Sequence, residues 1–568
     1  MKNHLPLLTL LITGVCPSLS CGGEEAARNV GRATVQRVHA EDCTPVLGRL
    51  VEADSSWITP WFGQAAWSPD APDILGDTRP ALYASTPSRF SVEIGESTEL
   101  RALSTALRRA KPGEKDDGIL RGEIFWQNGS DLTSLGFVEL QPELDTWMEL
   151  RLEVPAEKGV LVFSTRLAAP GMAQHDAEEV AWQVPVLTAK ADLAQPDVLL
   201  LVLDTLRLDA VEHMPYLNGL MQEGEVWEEA YVPSNWTLPS MASLLTGLLP
   251  DEHGCGRGPF AASSTGQIED RDFRSLKAVP TLAEAMRDAG YATAALHQNP
   301  FMEAWTGLHR GFERYVRTAD RPDANRKTAL DWWALQSHQP RFLMLHYMTP
   351  HLPNGVVDAL DKRSVEDFFG VDHAPQQRLD FFNFENAERD AVRQAYQEAV
   401  QQLDAELKLV VDHLRAQSPD CRILIYADHG EEHWDGDGFE HGFSFEDSVI
   451  HVPLAFIQGQ NAKPKAHAQK VPAHHLGTYL LERLGIPNQL PASALGALEQ
   501  ADRTVLSAFP LYRSNLGGRL WNPSDQAWVE LPFSGNGSPG PNASIDAWTA
   551  ARLAELGYAG NSKKPLVK

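Results

Sequence analysis

Two rhythms of apolar and polar residues divide the chain, and they change over near residue 195. Between residues 45 and about 190, short apolar stretches are separated by turn-forming residues, among them Phe90 to Ile94, Gly122 to Trp126, Trp147 to Val154 and Gly159 to Phe163. In Met148-Glu149-Leu150-Arg151-Leu152-Glu153-Val154 every second side chain is apolar, the period of a half-buried strand. This region predicts a β-sandwich accessory domain of the carbohydrate-binding or purely structural type, its tryptophans packing the core in preference to stacking on sugars.

From Asp197 the texture changes. Asp197-Val-Leu-Leu-Leu-Val-Leu-Asp204 is almost continuously apolar, as a strand buried on both faces of a parallel sheet should be. Ala292 to Leu296, Arg341 to Met348 and Arg422 to Ala427 repeat the pattern. Helical periodicity lies between them, around Thr281 to Asp288 and most clearly from Ala387 to Ala416. Alternating strands and helices predict a three-layer α/β domain with a mainly parallel central sheet over residues 195–568, ending in a small C-terminal subdomain. Ligands of such domains bind beyond the carboxyl ends of the strands.

Composition narrows the partners. With 568 residues, 49 Lys and Arg against 76 Asp and Glu, and a net charge of -27, binding to nucleic acid or an anionic surface by charge alone is excluded as a general mode. An anionic substrate therefore needs a local trap. Residues 1–21 read as an export signal: Lys2, an apolar run from Leu5 to Val15, then small residues leading to Cys21. Ser18-Leu19-Ser20-Cys21 loosely matches a lipoprotein cleavage site, so an exported chain, periplasmic or at the cell surface and lipid-anchored through Cys21, is one expectation. Cys43, Cys255 and Cys421 are too few and too scattered for a disulfide scaffold.

Candidate chemistry gathers at strand ends. Thr237, in SNWTLPSMASLLTGLLPDEHG, stands where a helix begins, with Pro239 suited to its first turn and Gly247 able to close it. It is either a helix cap or a hydroxyl nucleophile beside the positive end of a helix. The first strand ends on Asp204, and the last runs into Asp428-His429-Gly430-Glu431. Together Asp204, Thr237, Asp428 and His429 supply three oxygens and one nitrogen to a single divalent ion, with Ca, Mn, Mg and Zn unresolved. Such an ion would lower the pKa of the Thr237 hydroxyl and polarise an oxyanion under attack. The stretch of Glu431, Glu432, His433, Asp435, Asp437, Glu440 and His441 reads as a solvated acidic loop, and Arg207 with Asp209 as turn and helix-start hydrogen bonding. Trp236 and Trp434 read as either pocket walls or packing, and the Gly, Ser, Pro and Asn between Gly535 and Asn542 as a surface loop.

Several separated segments, in order, resemble the sulfatase branch of the alkaline phosphatase superfamily: VLLLVLDTLRLD, TLPSMASLLTGLLPDEHG, GYATAALHQNPF, HYMTPHLP, YADHGEEHWDGDGFEHG and the terminal ELGYAG. The resemblance implies metal binding by Asp204, Asp428 and His429 and attack by Thr237. It implies that His351 contacts the oxyanion or reacting hydroxyl, that His441 assists the leaving group, and that His297 and Asn299 bind substrate. Two departures qualify it. The family's formylglycine precursor lies in C/S-x-P-S-R, whereas this chain has Thr237-Leu238-Pro239-Ser240-Met241, so no formylglycine is expected. Thr205 stands where many sulfatases carry a second Asp. The expectation is a metal-dependent hydrolase of phosphate or sulfate esters using Thr237. The alternatives are a non-catalytic binder of anionic glycans or an envelope phosphotransferase.

Overall fold

The computed structural model describes residues 195–257, 273–337, 339–352, 385–435, 438–442, 444–459, 463–488 and 490, strands and short adjoining stretches between 35 and 189, and the hairpin of Leu516–Asn522 with Ala527–Pro532. The export-signal candidate, Cys16, Cys21 and Cys43, Asp437, the 535–542 loop and the terminal ELGYAG lie outside the described residues.

Val198–Leu203 is the axis of the fold. All six of its side chains are buried, and it pairs in parallel with Arg341–Tyr347 on one side and Arg422–Tyr426 on the other. Ala292–His297 adds in parallel beyond Arg341–Tyr347, and Arg314–Thr318 beyond that. Leu454–Ile457 closes on Arg422–Tyr426 from the other side, antiparallel, which makes the sheet mixed though mainly parallel at its centre. Four of the apolar runs therefore form strands within one or two residues of their expected limits, because a strand covered on both faces can be apolar throughout.

Helices pack on this sheet where the periodicity placed them. Leu282–Asp288 begins with a capping box, in which Thr281 Oγ1 accepts from Glu284 N–H and Glu284 accepts from Thr281 N–H. Asn386–Gln417 buries Val392, Tyr396, Val400, Leu403, Leu407, Val410, Val411 and Leu414, a stripe at helical spacing.

The N-terminal strands form a five-stranded sheet that includes Ser88–Ile94, Leu120–Asn128, Asp131–Leu140 and Gly159–Leu167. Phe90, Val92, Leu120, Ile124, Leu161 and Phe163 from it share a core with Leu82, Val180 and Trp182. Those last three sit on Ile74–Ser85 and Glu179–Gln183, strands that continue the central sheet, since Ile74–Ser85 pairs antiparallel with Arg314–Thr318. Asp77 ties this junction together, its carboxylate buried between Arg79 and Arg314. The alternation in Met148 to Val154 misled in one respect. Met148, Leu150, Leu152 and Val154 do pack on this core, but the described residues among them form no ladder.

Candidate active site

The site lies at the carboxyl ends of the central strands. Asp204 follows the Val198–Leu203 strand directly, and its N–H donates to Tyr347 O at 2.9 Å. Thr205 next to it has φ 56°, a left-handed conformation that is costly for a β-branched residue. The side chain of Tyr396 holds this turn, donating to Thr205 O and accepting from Arg207 N–H, both at 2.9 Å.

Thr237 opens the helix Thr237–Thr246, which ends on left-handed Gly247. Trp236 occupies the cap position and no side chain caps the helix, so the cap-only reading of Thr237 does not hold. Its hydroxyl lies instead 3.3 Å from His429 Nε2, 3.5 Å from Asp204 Oδ2 and 3.0 Å from Asn299 Nδ2. Ser240, one turn on, donates to Asp428 O at 2.6 Å and fixes the helix against the last strand. Asp428-His429 leaves that strand through Gly430, where a Cβ would come within 2.1 Å of Ser448 O.

The residues present fit a metal ion. Ligand atoms of Asp204, Asp428 and His429 lie within 4.8 Å of one another and all three residues are buried. Asp204 Oδ2 is occupied by Asn299 Nδ2 at 2.7 Å and approached by His346 Nε2 at 3.3 Å, while Asp204 Oδ1 makes no hydrogen bond. Asp428 divides in the same way: Oδ1 accepts from His429 N–H at 3.0 Å and Oδ2 has no partner. His429 Nδ1–H donates to Gly430 O at 2.9 Å, which leaves the Nε2 lone pair facing Thr237. Two carboxylate oxygens without a hydrogen-bond partner, buried beside His429 Nε2 and Thr237 Oγ1, are costly without a cation.

A profile of the Sulfatase family matches residues 196–486, half of the chain. The chain belongs to the sulfatase family. Solved structures similar to it include a putative sulfatase from Bacteroides thetaiotaomicron VPI-5482, at 16% identity over 64% of this chain and 90% of that one, TM-score 0.44. Two phosphonate monoester hydrolases are similar as well. That from Silicibacter pomeroyi has 19% identity over 64% and 94% of the two chains, TM-score 0.42. That from Agrobacterium radiobacter has 18% identity over 64% and 94%, TM-score 0.43. No curated protein matches the sequence.

As a member of this family the protein is an ester hydrolase; enzymes of the family use a divalent metal, and Asp204, Asp428 and His429 form a group that could hold one. The electrostatics suit a pair of carboxylates awaiting a cation. Burial pushes Asp204 up, but the hydrogen bond from His346 and the neighbouring His351, His346 and His429 outweigh it and hold the carboxyl below its usual range. Burial and the charge of Asp204 push Asp428 well up, against Thr237 and the N–H groups of His429 and Thr205. His429 is held well below its usual value by burial and by His441.

The other expected residues divide. Asn299 reaches both Asp204 and Thr237, while its Oδ1 accepts from Phe301 N–H at 2.8 Å. His297 is buried one step away, donating from Nδ1 to Asn299 O at 3.1 Å and packing on Tyr315 at 4.8 Å between ring centres. His351 bonds through Nδ1 to Leu352 O, and its ring lies 5.0 Å from that of His441. His441 in turn lies 4.4 Å from the His429 ring and places Nδ1 3.0 Å from Glu431 Oε1.

Much of the acidic stretch is buried, although Asp435 is exposed. Glu431, Glu432, His433 and Glu440 are each 5% exposed or less, and burial raises the Glu431 carboxyl to about 8. Arg207 does more than close its own turn: besides Asp209 it binds Asp435 at 2.5 Å and Glu431 O at 2.9 Å, joining the first strand end to the last. Trp236 packs on Phe301 and Phe273, whereas Trp434, at φ 60°, stacks on Phe439. His346 and Glu431 are contacts the sequence reading missed. His346 stands in a strand where an inward-facing polar residue among apolar ones was the available signal.

Proposed function

We propose that this protein hydrolyses an anionic phosphorus or sulfur ester through Thr237, with phosphorus esters preferred. The observation that carries the reading is the Thr237 hydroxyl, at an uncapped helix start, within 3.5 Å of both Asp204 Oδ2 and His429 Nε2. A divalent ion held by Asp204, Asp428, His429 and Thr237 Oγ1 would supply a lowered hydroxyl pKa and charge neutralisation of the ester's oxygens.

In this proposal the protein's own residues divide the work. Asn299 Nδ2 orients Thr237 Oγ1 and Asp204 Oδ2, and the Thr237 hydroxyl stands at the start of its helix, the end whose partial positive charge favours an anion. Thr237 Oγ1 releases its proton to water and attacks phosphorus. A bond forms from Oγ1 to phosphorus as the bond to the ester oxygen breaks, and His441 donates a proton to that oxygen. Water then cleaves the Thr237 ester and regenerates the hydroxyl. A threonine gives no aldehyde hydrate, and an ester on Thr237 needs direct displacement by water, which phosphorus accepts readily; this supports phosphorus over sulfate.

Turnover of aryl phosphate, phosphodiester, phosphonate and sulfate esters by metal-loaded protein and by Thr237→Ala tests the reading. The expected result is preferred turnover of a phosphorus ester that falls at least about 100-fold in the variant. Equal activity in both proteins rejects Thr237 as nucleophile, and preferred turnover of sulfate esters rejects the phosphorus preference. The proposal extends to location and organisation. The Lys2, Leu5 to Val15 and Cys21 pattern supports export with lipid anchoring, and the shift in texture near residue 195 supports an accessory region before the catalytic one.

A further inference from the structure

We propose that His346 is a positioning residue for Asp204: from the neighbouring strand it bears on Asp204 Oδ2 and, together with Asn299, keeps Oδ1 turned toward His429. This rests on the reading of Asp204, Asp428 and His429 as the holders of a divalent ion.

The sheet register sets the two residues side by side. In the parallel pairing of Val198–Leu203 with Arg341–Tyr347, Val202 stands opposite His346, and Asp204, two residues past Val202, projects to the same face. His346 Nε2 lies 3.3 Å from Asp204 Oδ2, with both side chains wholly buried. The backbone around the contact is fixed. Asp204 N–H donates to Tyr347 O at 2.9 Å, and His346 O accepts from Asn325 Nδ2 at 2.9 Å, an amide held in turn by Thr318 Oγ1 at 2.7 Å. Phe342, Leu343, Met344 and Leu345 of the same strand are apolar, so packing alone gives no reason for an imidazole here. Its Nδ1 has no hydrogen-bond partner among the described residues, and its Nε2 meets Asp204 Oδ2 too far off line for a full hydrogen bond. An imidazole buried in this way weakens the folded chain. Positions that break a packing rule at such a cost belong to functional sites.

What the imidazole does there follows from how Asp204 is divided. Oδ2 has Asn299 Nδ2 at 2.7 Å and Thr237 Oγ1 at 3.5 Å as well as His346, whereas Oδ1 makes no hydrogen bond and lies 3.6 Å from His429 Nε2. Asn299 belongs to the turn after Ala292–His297, and His346 to the strand between that one and Val198–Leu203. A carboxylate held by one amide can still turn about that bond. A second contact from a different element stops the turn and leaves the other oxygen to a ligand.

Two amide substitutions separate the ring nitrogens, because the amide nitrogen of His346→Gln falls near Nε2 and that of His346→Asn near Nδ1. Metal-free wild type, His346→Gln, His346→Asn and His346→Leu are titrated calorimetrically with Ca, Mn, Mg and Zn ions, and each metal-free protein is unfolded in urea. For the ion that wild type binds most tightly, affinity should fall by about 10-fold to 100-fold in His346→Leu and His346→Asn and stay within about 3-fold in His346→Gln. The urea midpoint of His346→Leu should hold or rise, since the exchange removes a buried polar group that lacks a full hydrogen bond. Wild type that binds none of the four ions overturns the metal site, and the proposal with it. Wild-type affinity in His346→Leu overturns the positioning role alone, as does equal weakening in His346→Gln and His346→Asn. A parallel fall of affinity and urea midpoint in His346→Leu reduces His346 to packing and overturns the role as well. Should His346→Leu not fold, the contrast between His346→Gln and His346→Asn decides.

Discussion

Tyr396→Phe removes one oxygen atom from the protein and tests how the turn that carries Asp204 is held. The Tyr396 hydroxyl, on the long Asn386–Gln417 helix, joins Thr205 O and Arg207 N–H at 2.9 Å each, and the residue is 5% exposed. Phenylalanine fills the same space and leaves a buried carbonyl and a buried N–H without partners. At about 1–3 kcal/mol for each such group, and with some relief from relaxation, the variant should lose about 2–4 kcal/mol of stability. The turn also carries strain, since Thr205 has φ 56°, a conformation worth about 1–2 kcal/mol against a residue with a Cβ. Released from Tyr396, it should relax and carry Asp204 away from Asp428 and His429. Metal affinity should then fall by about 10-fold or more, the usual scale for a group that orients a ligand. Urea unfolding of the metal-free protein reads the first quantity, and calorimetric titration with metal the second. Thr205→Gly in the same background should recover part of the stability by removing the strain. A Tyr396→Phe protein with the wild-type urea midpoint and the wild-type metal affinity would refute the reasoning.

Two further outcomes are expected. His253, buried and bonded to Pro239 O and Ser243 beneath the Thr237 helix, is pushed down by burial to about 3, and His433 likewise to about 3. Between about 6.5 and about 3 the unfolded chain binds protons at these histidines that the native chain does not, so stability is complete above that window and is lost as pH falls through it. The limit is on the order of 5 kcal/mol per group, and chemical denaturation from pH 7 to 4 should show a slope that His253→Gln reduces. Asn299→Ala removes the donor shared by Asp204 and Thr237; kcat should fall by about 10-fold to 100-fold in protein that is still folded under assay conditions, the urea midpoint falling as well because Phe301 N–H loses its acceptor, and a kcat equal to wild type would remove Asn299 from the site.

Much of this arrangement was legible in the chain, and the physical reason differs by element. The runs at 198–203, 292–297, 341–347 and 422–426 could be read because strands covered on both faces need no polar positions. Asp204, Asp428 and His429 could be read because they follow strand ends, and Thr237 because it stands where a helix begins. The burial of Glu431, Glu432 and Glu440 could not, since a run of charges looks solvated unless the partners that receive it are known. Those partners are His441 for Glu431 and Ser444 for Glu432, across a hairpin whose register the sequence does not mark, and Arg207, more than 200 residues earlier, for the backbone. The role of Asn299 was half legible: its segment pointed to the site, but only the fold brings its amide onto Asp204 and Thr237. Nor could the pairing of Ile74–Ser85 with Arg314–Thr318 be read, because register between strands more than 200 residues apart leaves no local trace.

The central claim is that Thr237 becomes covalently esterified during turnover. Acid quenching of metal-loaded protein within the first turnovers of its best aryl ester, followed by peptide mass mapping, measures this directly. The account requires the transferred group on Thr237 in the peptide spanning Trp236 to Gly247, and its disappearance in Thr237→Ala together with activity. An unmodified Thr237 in quenched wild-type protein, with Thr237→Ala still turning over the same ester, would contradict it.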